Sequence, residues 1–244
     1  MRNFNLLILL VVFSGAYAQD DYTYEIKPAQ PSMQEEKQGE FFMGFNLSPT
    51  ISWLNIDHND LHTDGATITG GFGLTAEYYT GRIFSLVSGI NFILPGGYAF
   101  DSRSLSDNNT KNNFRINYPA IEVPVLLRIN TLPFEKTTYY AQGGISAAYR
   151  FAASEFHRAA SFESADEKKD ISHLIHPSLL NLQVGFGAKF RFIKKYYLFA
   201  EVNYKNSIIN IADEKGYLSE GRYPAGGIPT ILNGNMIFSV GVLF

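Results

Sequence analysis

The sequence predicts an all-β fold, an eight-stranded antiparallel transmembrane β-barrel of the outer-membrane type. Three observations carry that expectation. Eight separate stretches alternate apolar residues with polar or small ones at a period of two, the pattern of strands whose two faces meet different surroundings. The connections between them run long, short, long, short, long, short, long, as in barrels with long loops at one rim and tight turns at the other. The last ten residues put Met236, Phe238, Val240, Val242 and Phe244 on one parity and stop on an aromatic ring, and a tilted strand of about ten residues crosses an outer membrane.

Each element follows in chain order. Arg2, the apolar run Leu6 to Phe13 and the small-residue site Ala16-Tyr17-Ala18 make residues 1–18 a secretory signal peptide. The apolar run is too short to serve as an anchor helix, which needs about 20 residues. Residues 19–40 are polar, with Pro28, Pro31, Gln30, Gln34 and Gln38, and read as a flexible periplasmic leader. The barrel domain is 41–244. Its first strand starts at Phe41, with Phe41, Met43, Phe45 and Leu47 on the lipid face, and a polar loop, Asn55 to Gly65, follows. The second strand carries Ile68, Phe72, Leu74, Ala76 and Tyr78 and turns at Thr80-Gly81; the third carries Phe84, Leu86, Ile90 and Phe92. Pro95-Gly96-Gly97 opens a polar segment that lasts to Asn113. The fourth strand holds Ile121 to Ile129, then a short turn, then Tyr139 to Tyr149, then a charged loop from about Ala153 to Ser178. Leu182 to Phe192, a turn at Ile193-Lys194-Lys195, and Tyr196 to Tyr204 follow, with a last loop, Asn210 to Gly234, before the closing strand. Phe41, Tyr78, Phe84, Tyr139, Phe192, Tyr196 and Phe244 fall together near the short turns, as an interfacial aromatic girdle does.

Composition narrows the alternatives. The chain has 15 Tyr, 20 Phe and 21 Gly but no Cys, so closure rests on strand pairing and not on disulfides. A net charge of -3 with no basic cluster excludes a nucleic-acid footprint. Mean hydropathy is near neutral because only alternate residues would face lipid. A soluble β-sandwich or lipocalin-like barrel also alternates, but the Gly-rich parity here would make a poor solvent face. The parity opposite the apolar one collects Glu77, Glu122, Arg128, Arg150, Lys189, Arg191, Glu201 and Lys205. An eight-stranded barrel is filled by its own side chains, so these eight are expected to form a charge network across the lumen, with bases in excess. Phe238, Val240, Val242 and Phe244 are the expected barrel-assembly strand.

One segment carries a resemblance. Tyr118-Pro119-Ala120-Ile121-Glu122-Val123-Pro124-Val125-Leu126-Leu127-Arg128 resembles a strand of PorT-like outer-membrane β-barrel proteins, and Tyr140 to Ser146, Leu198 to Tyr204 and Phe238 to Phe244 fit other strands of that family. The resemblance covers roughly Phe41 to Phe244. It implies an eight-stranded barrel in the outer membrane of a Gram-negative bacterium and a link to secretion, though no motif here transfers the secretion role. Pro124 cannot donate a ladder hydrogen bond, so a bulge or a locally broken ladder is expected over Glu122 to Val125.

Function is less legible. Asp57-His58-Asn59-Asp60-Leu61-His62-Thr63-Asp64, with Asp170, His173, His176 and His157, puts carboxylates beside histidines in the loops, a composition able to bind metal or transfer protons. No H-E-x-x-H or G-x-S-x-G motif fixes a geometry, so no catalytic residue, metal ligand or cofactor is assigned. The expectation is a non-enzymatic structural or interaction protein of the cell envelope with both termini periplasmic. The alternatives are a small porin-like channel for small solutes and a rim-catalysed hydrolase. Expected partners are outer-membrane lipid, the barrel-assembly machinery during insertion, and an envelope or secretion protein.

Overall fold

The computed structural model describes residues 39–101, 112–157, 167–193, 195–219 and 227–244. The expected signal peptide and all of the leader up to residue 38 lie outside the described residues. Eight strands close a barrel: β1 (Phe41–Leu47), β4 (Gly71–Tyr79), β5 (Phe84–Ile93), β8 (Ala120–Asn130), β9 (Thr137–Arg150), β12 (Ser178–Ile193), β13 (Tyr196–Ser207) and β14 (Thr230–Leu243). They neighbour one another in that order, all antiparallel, and β14 pairs back with β1. Closure is completed by Met43 and Phe244, which exchange both backbone hydrogen bonds at 2.9 and 2.7 Å, leaving no strand edge, as the absence of water in lipid requires.

The barrel is inside out relative to a soluble domain. In β8 every second residue from Ile121 to Ile129 is exposed and every intervening one is buried, and β9 repeats the alternation in its outer thirds. The outward side chains form the apolar belt. All seven expected girdle aromatics are exposed, with Phe192, Tyr196, Phe244 and Phe45 in a row of ring contacts 6.0–6.4 Å apart. Of the closing strand, Phe238, Val240 and Phe244 are exposed and Val242 half-buried. A second row, Phe72–Phe92–Phe151 with spacings of 5.4 and 5.9 Å, marks the other rim of the belt.

The connections differ from the polar loops that the sequence suggested. Strands continue into them: β2 (Thr50–Asp57), β3 (Leu61–Thr69), β6 (Gly96–Asp101), β7 (Asn112–Asn117), β10 (Ser154–His157) and β11 (Glu167–Asp170) form a second tier in the order β14-β2-β3-β6-β7-β10-β11. Alternation fades there, where the tier packs in part on a small apolar core of its own. The two tiers meet at one level of the ladder. Pro49, Gly70, Pro95, Pro119 and Pro177 interrupt successive strands where Gly71 lies opposite Ile93, Ile93 opposite Ala120, and Ala120 opposite Arg150; each proline removes a ladder donor.

Pro124 follows the expectation in part. Between β5 and β8, pairing stops after Ser88↔Val125 and resumes at Asn91↔Glu122 in the same register, so the ladder is broken without a bulge. The Ser88 hydroxyl instead donates to the Pro124 carbonyl at 2.9 Å. On its other side β8 pairs with β9 without interruption.

Candidate functional site in the lumen

Inward positions stack into layers along the barrel axis. At the turn end Phe42, Tyr79, Tyr197, Phe199 and Leu243 make a buried aromatic cluster, with Phe42 edge-on to Tyr79 and Tyr197 at 6.0 and 5.4 Å. One pleat further in lie Glu77, two residues from Tyr79, and Glu201, two from Phe199. Beyond the polar layers, inward positions turn apolar again: Ala120, Ala148, Leu179 and Ile231 each follow a polar lumen residue by one pleat and join Leu54, Ile116, Leu174 and Ile211 in a loop-end core.

The central layer is a chain of alternating charge. Glu201 Oε2 receives Arg128 Nη2 at 3.1 Å; Arg128 Nη1 donates to Glu77 Oε2 at 3.0 Å; Lys189 Nζ donates to Glu77 Oε1 at 2.7 Å. Gln142, directly opposite Arg128 in the ladder, accepts from Nε and Nη2 at 2.9 and 2.7 Å. The Tyr140 ring lies 3.9 Å from the guanidinium, and its hydroxyl donates to Glu201 Oε2 at 2.9 Å. Ser85 adds a donor to Glu77 at 2.6 Å, and Lys189 reaches the Tyr79 oxygen at 2.7 Å. Gly187 makes room: a Cβ there would stand 2.7 Å from both Tyr140 and Glu201. A second pair, Lys205–Glu122 at 2.6 Å, is supported by Ser146 and Asn181.

Six of the eight expected charges are thus brought together, and two are not. Arg150 sits at the loop end, donating to the carbonyls of Ser172 at 2.8 Å, Ile175 at 2.7 Å and His176 at 3.3 Å. Arg191 is exposed at the turn end, past the aromatic layer. What remains is Glu77, Glu122 and Glu201 against Arg128, Lys189 and Lys205, a balanced set, so the excess of bases expected from parity is corrected. Tyr79, Tyr140, Gln142 and Ser85 were missed because only charges were collected, although the same parity contains them.

Among the loop histidines, His58 Nδ1 accepts from the backbone N–H of Asp60 and Leu61 at 3.0 and 3.2 Å, while Nε2 lies 3.0 Å from Gly227 O. It shapes a turn. The His62 ring packs on Phe100, centroids 5.2 Å apart.

A closed barrel with a lipid-facing apolar belt and a polar filling is matched by a family profile described as outer membrane protein beta-barrel domain, over residues 29–213. The chain belongs to that family. It is an outer-membrane β-barrel. Solved structures similar to it include OprG from Pseudomonas aeruginosa (10% identity, 85% of this chain and 97% of that one, TM-score 0.49). Neisserial surface protein A is another (9%, 83% and 95%, 0.43), as is Ail of Yersinia pestis (14%, 85% and 99%, 0.39). A sequence comparison with curated proteins gave no match.

Proposed function

We propose that this barrel is a PorT-like, non-enzymatic structural or interaction protein of the cell envelope, linked to secretion, whose lumen does not conduct. The observation that carries the reading is the balanced ionic layer held between an aromatic layer and an apolar core. Every charge in that layer is paired, so none is left to draw an ion through, and the apolar layers offer a permeating ion no replacement for its water. The PorT-like part of the reading rests on the sequence likeness of Tyr118 to Arg128, a strand whose Glu122 and Arg128 build part of the polar filling.

The first barrel strand starts and the last one ends at the short-turn rim, which in outer-membrane barrels is periplasmic, so on this reading the two-tiered loop end faces outward and offers the contact surface. Phe238, Val240, Val242 and Phe244 serve as the strand that the barrel-assembly machinery reads. The test is single-channel recording of the refolded full chain in a planar bilayer. A folded barrel, shown by heat-modifiable migration, that gives no steps supports the reading. Stable conductance steps would replace it with the small-solute channel.

A further inference from the structure

The lumen is closed at both ends but parted on one side. Pairing of β3 with β6 runs from Leu61↔Asp101 to Gly65↔Tyr98, and pairing of β4 with β5 begins only at Gly71↔Ile93. Across this seam residues 66–70 and 94–97 have no partners. The cause is local. Pro95 has no N–H to give, and the next residue turns to the opposite strand: Ser52 Oγ donates to the Gly96 carbonyl at 2.7 Å and accepts its N–H at 3.0 Å. Gly97 permits the approach, since a Cβ there would lie 2.8 Å from Leu54. Strand β6 therefore leans on β2, inside the tier, and leaves β3.

A cavity of about 60 Å³ extends from Arg128 and Glu201 in the lumen to Thr69, Phe72 and Leu94 at the seam. It has room for a few water-sized groups. Two of the residues that line it carry a buried side-chain oxygen with no hydrogen-bond partner, Gln183 (Oε1), 6% exposed, and Thr69 (Oγ1). Its charged lining is already matched, Lys205 with Glu122 and Arg128 with Glu77 and Glu201. Outside, the seam is flanked by exposed Ile68, Phe72 and Leu94, at the rim of the apolar belt.

We propose that the seam is a binding site, reached sideways from the membrane, for a single-chain amphiphile with a small neutral hydroxyl-bearing head. The head places its hydroxyl donors on Gln183 Oε1 and Thr69 Oγ1, and the chain stays in lipid along Ile68, Phe72 and Leu94. Neutrality follows from the paired lining, which leaves a charged head no counter-ion. The small head follows from the size of the cavity, and a single chain from the one short row of apolar side chains that flanks the seam.

The test uses the full chain in detergent micelles, titrated with 1-monoolein, with oleate and with 1-octadecene, and read as bound lipid per chain by native mass spectrometry. Monoolein is expected to bind one per chain and more tightly than either other probe. Gln183→Leu and Thr69→Val are each expected to weaken it roughly tenfold, the equivalent of about 1.4 kcal/mol, with heat-modifiable migration confirming that each variant folds. Thr69→Val carries the test should Gln183→Leu not fold. Equal binding of monoolein and octadecene would overturn the site, as would wild-type affinity in both variants, the result for a cavity that holds water only. Tighter binding of oleate would overturn the neutral head.

Discussion

Arg128 stands between two carboxylates with a glutamine opposite and a tyrosine ring beneath, and each of those contacts depends on a guanidinium. Arg128→Leu removes the cation and leaves Glu77 with Lys189 alone and Glu201 with no cation, both in a side-chain-filled lumen. Breaking a buried pair from one side costs about 3–5 kcal/mol, so the variant is expected to unfold at markedly lower urea in micelles; an unchanged midpoint would show that the layer is not structural. Tyr118 presents the reverse case. Its side chain is 1% exposed in the loop-end core and its hydroxyl has no partner among the described residues. Tyr118→Phe relieves a desolvated donor without changing shape and is expected to raise stability by about 1 kcal/mol, read from the same urea curves. Six of the eight charges that parity collects meet in ion pairs. Arg150 and Arg191 do not, because parity gives the side of the wall but not the height along the axis, and height decides whether a residue lies among the paired charges.

On the scale of elements, barrel strands were legible wherever one face meets lipid, since lipid enforces a strict period of two. The same strands lost their signal above the ring of prolines. There β2, β3, β6 and β7 pack partly on a small core, and Leu61-His62-Thr63-Asp64 carries no clean alternation. In the sequence the glycines mark only the parity opposite the apolar one, whereas in the structure Gly187 has a specific reason. It stands opposite Tyr140 in β9 and Glu201 in β13, and both already occupy the space that a Cβ needs. Gly187→Ala is therefore expected to destabilise the barrel by roughly 1–3 kcal/mol, the cost of overpacking a filled core. Gly143, whose Cβ would meet only ordinary contacts near 3.7 Å, is the control: alanine there should unfold at nearly the wild-type urea concentration. Equal effects at the two sites would mean that strand propensity, not the Tyr140 ring, the Glu201 Cβ and the Ala200 carbonyl around Gly187, sets the cost.

For the molecule as a whole, the layers lie in series along one axis, and conduction through a series of barriers is limited by whichever remains. Removing the turn-end aromatics alone, by Phe42→Ala with Tyr197→Ala, takes away two of the rings of that layer but leaves the chain Glu201–Arg128–Glu77–Lys189 and the loop-end core standing. The double variant is expected to stay silent in a planar bilayer while losing stability, because large-to-small changes among buried rings cost about 3–5 kcal/mol each. A channel gated by the aromatic layer would behave oppositely, opening without first weakening. Recording conductance and urea midpoint on the same preparation separates the two, since a barrel that conducts at wild-type stability could not be held shut by three barriers in series.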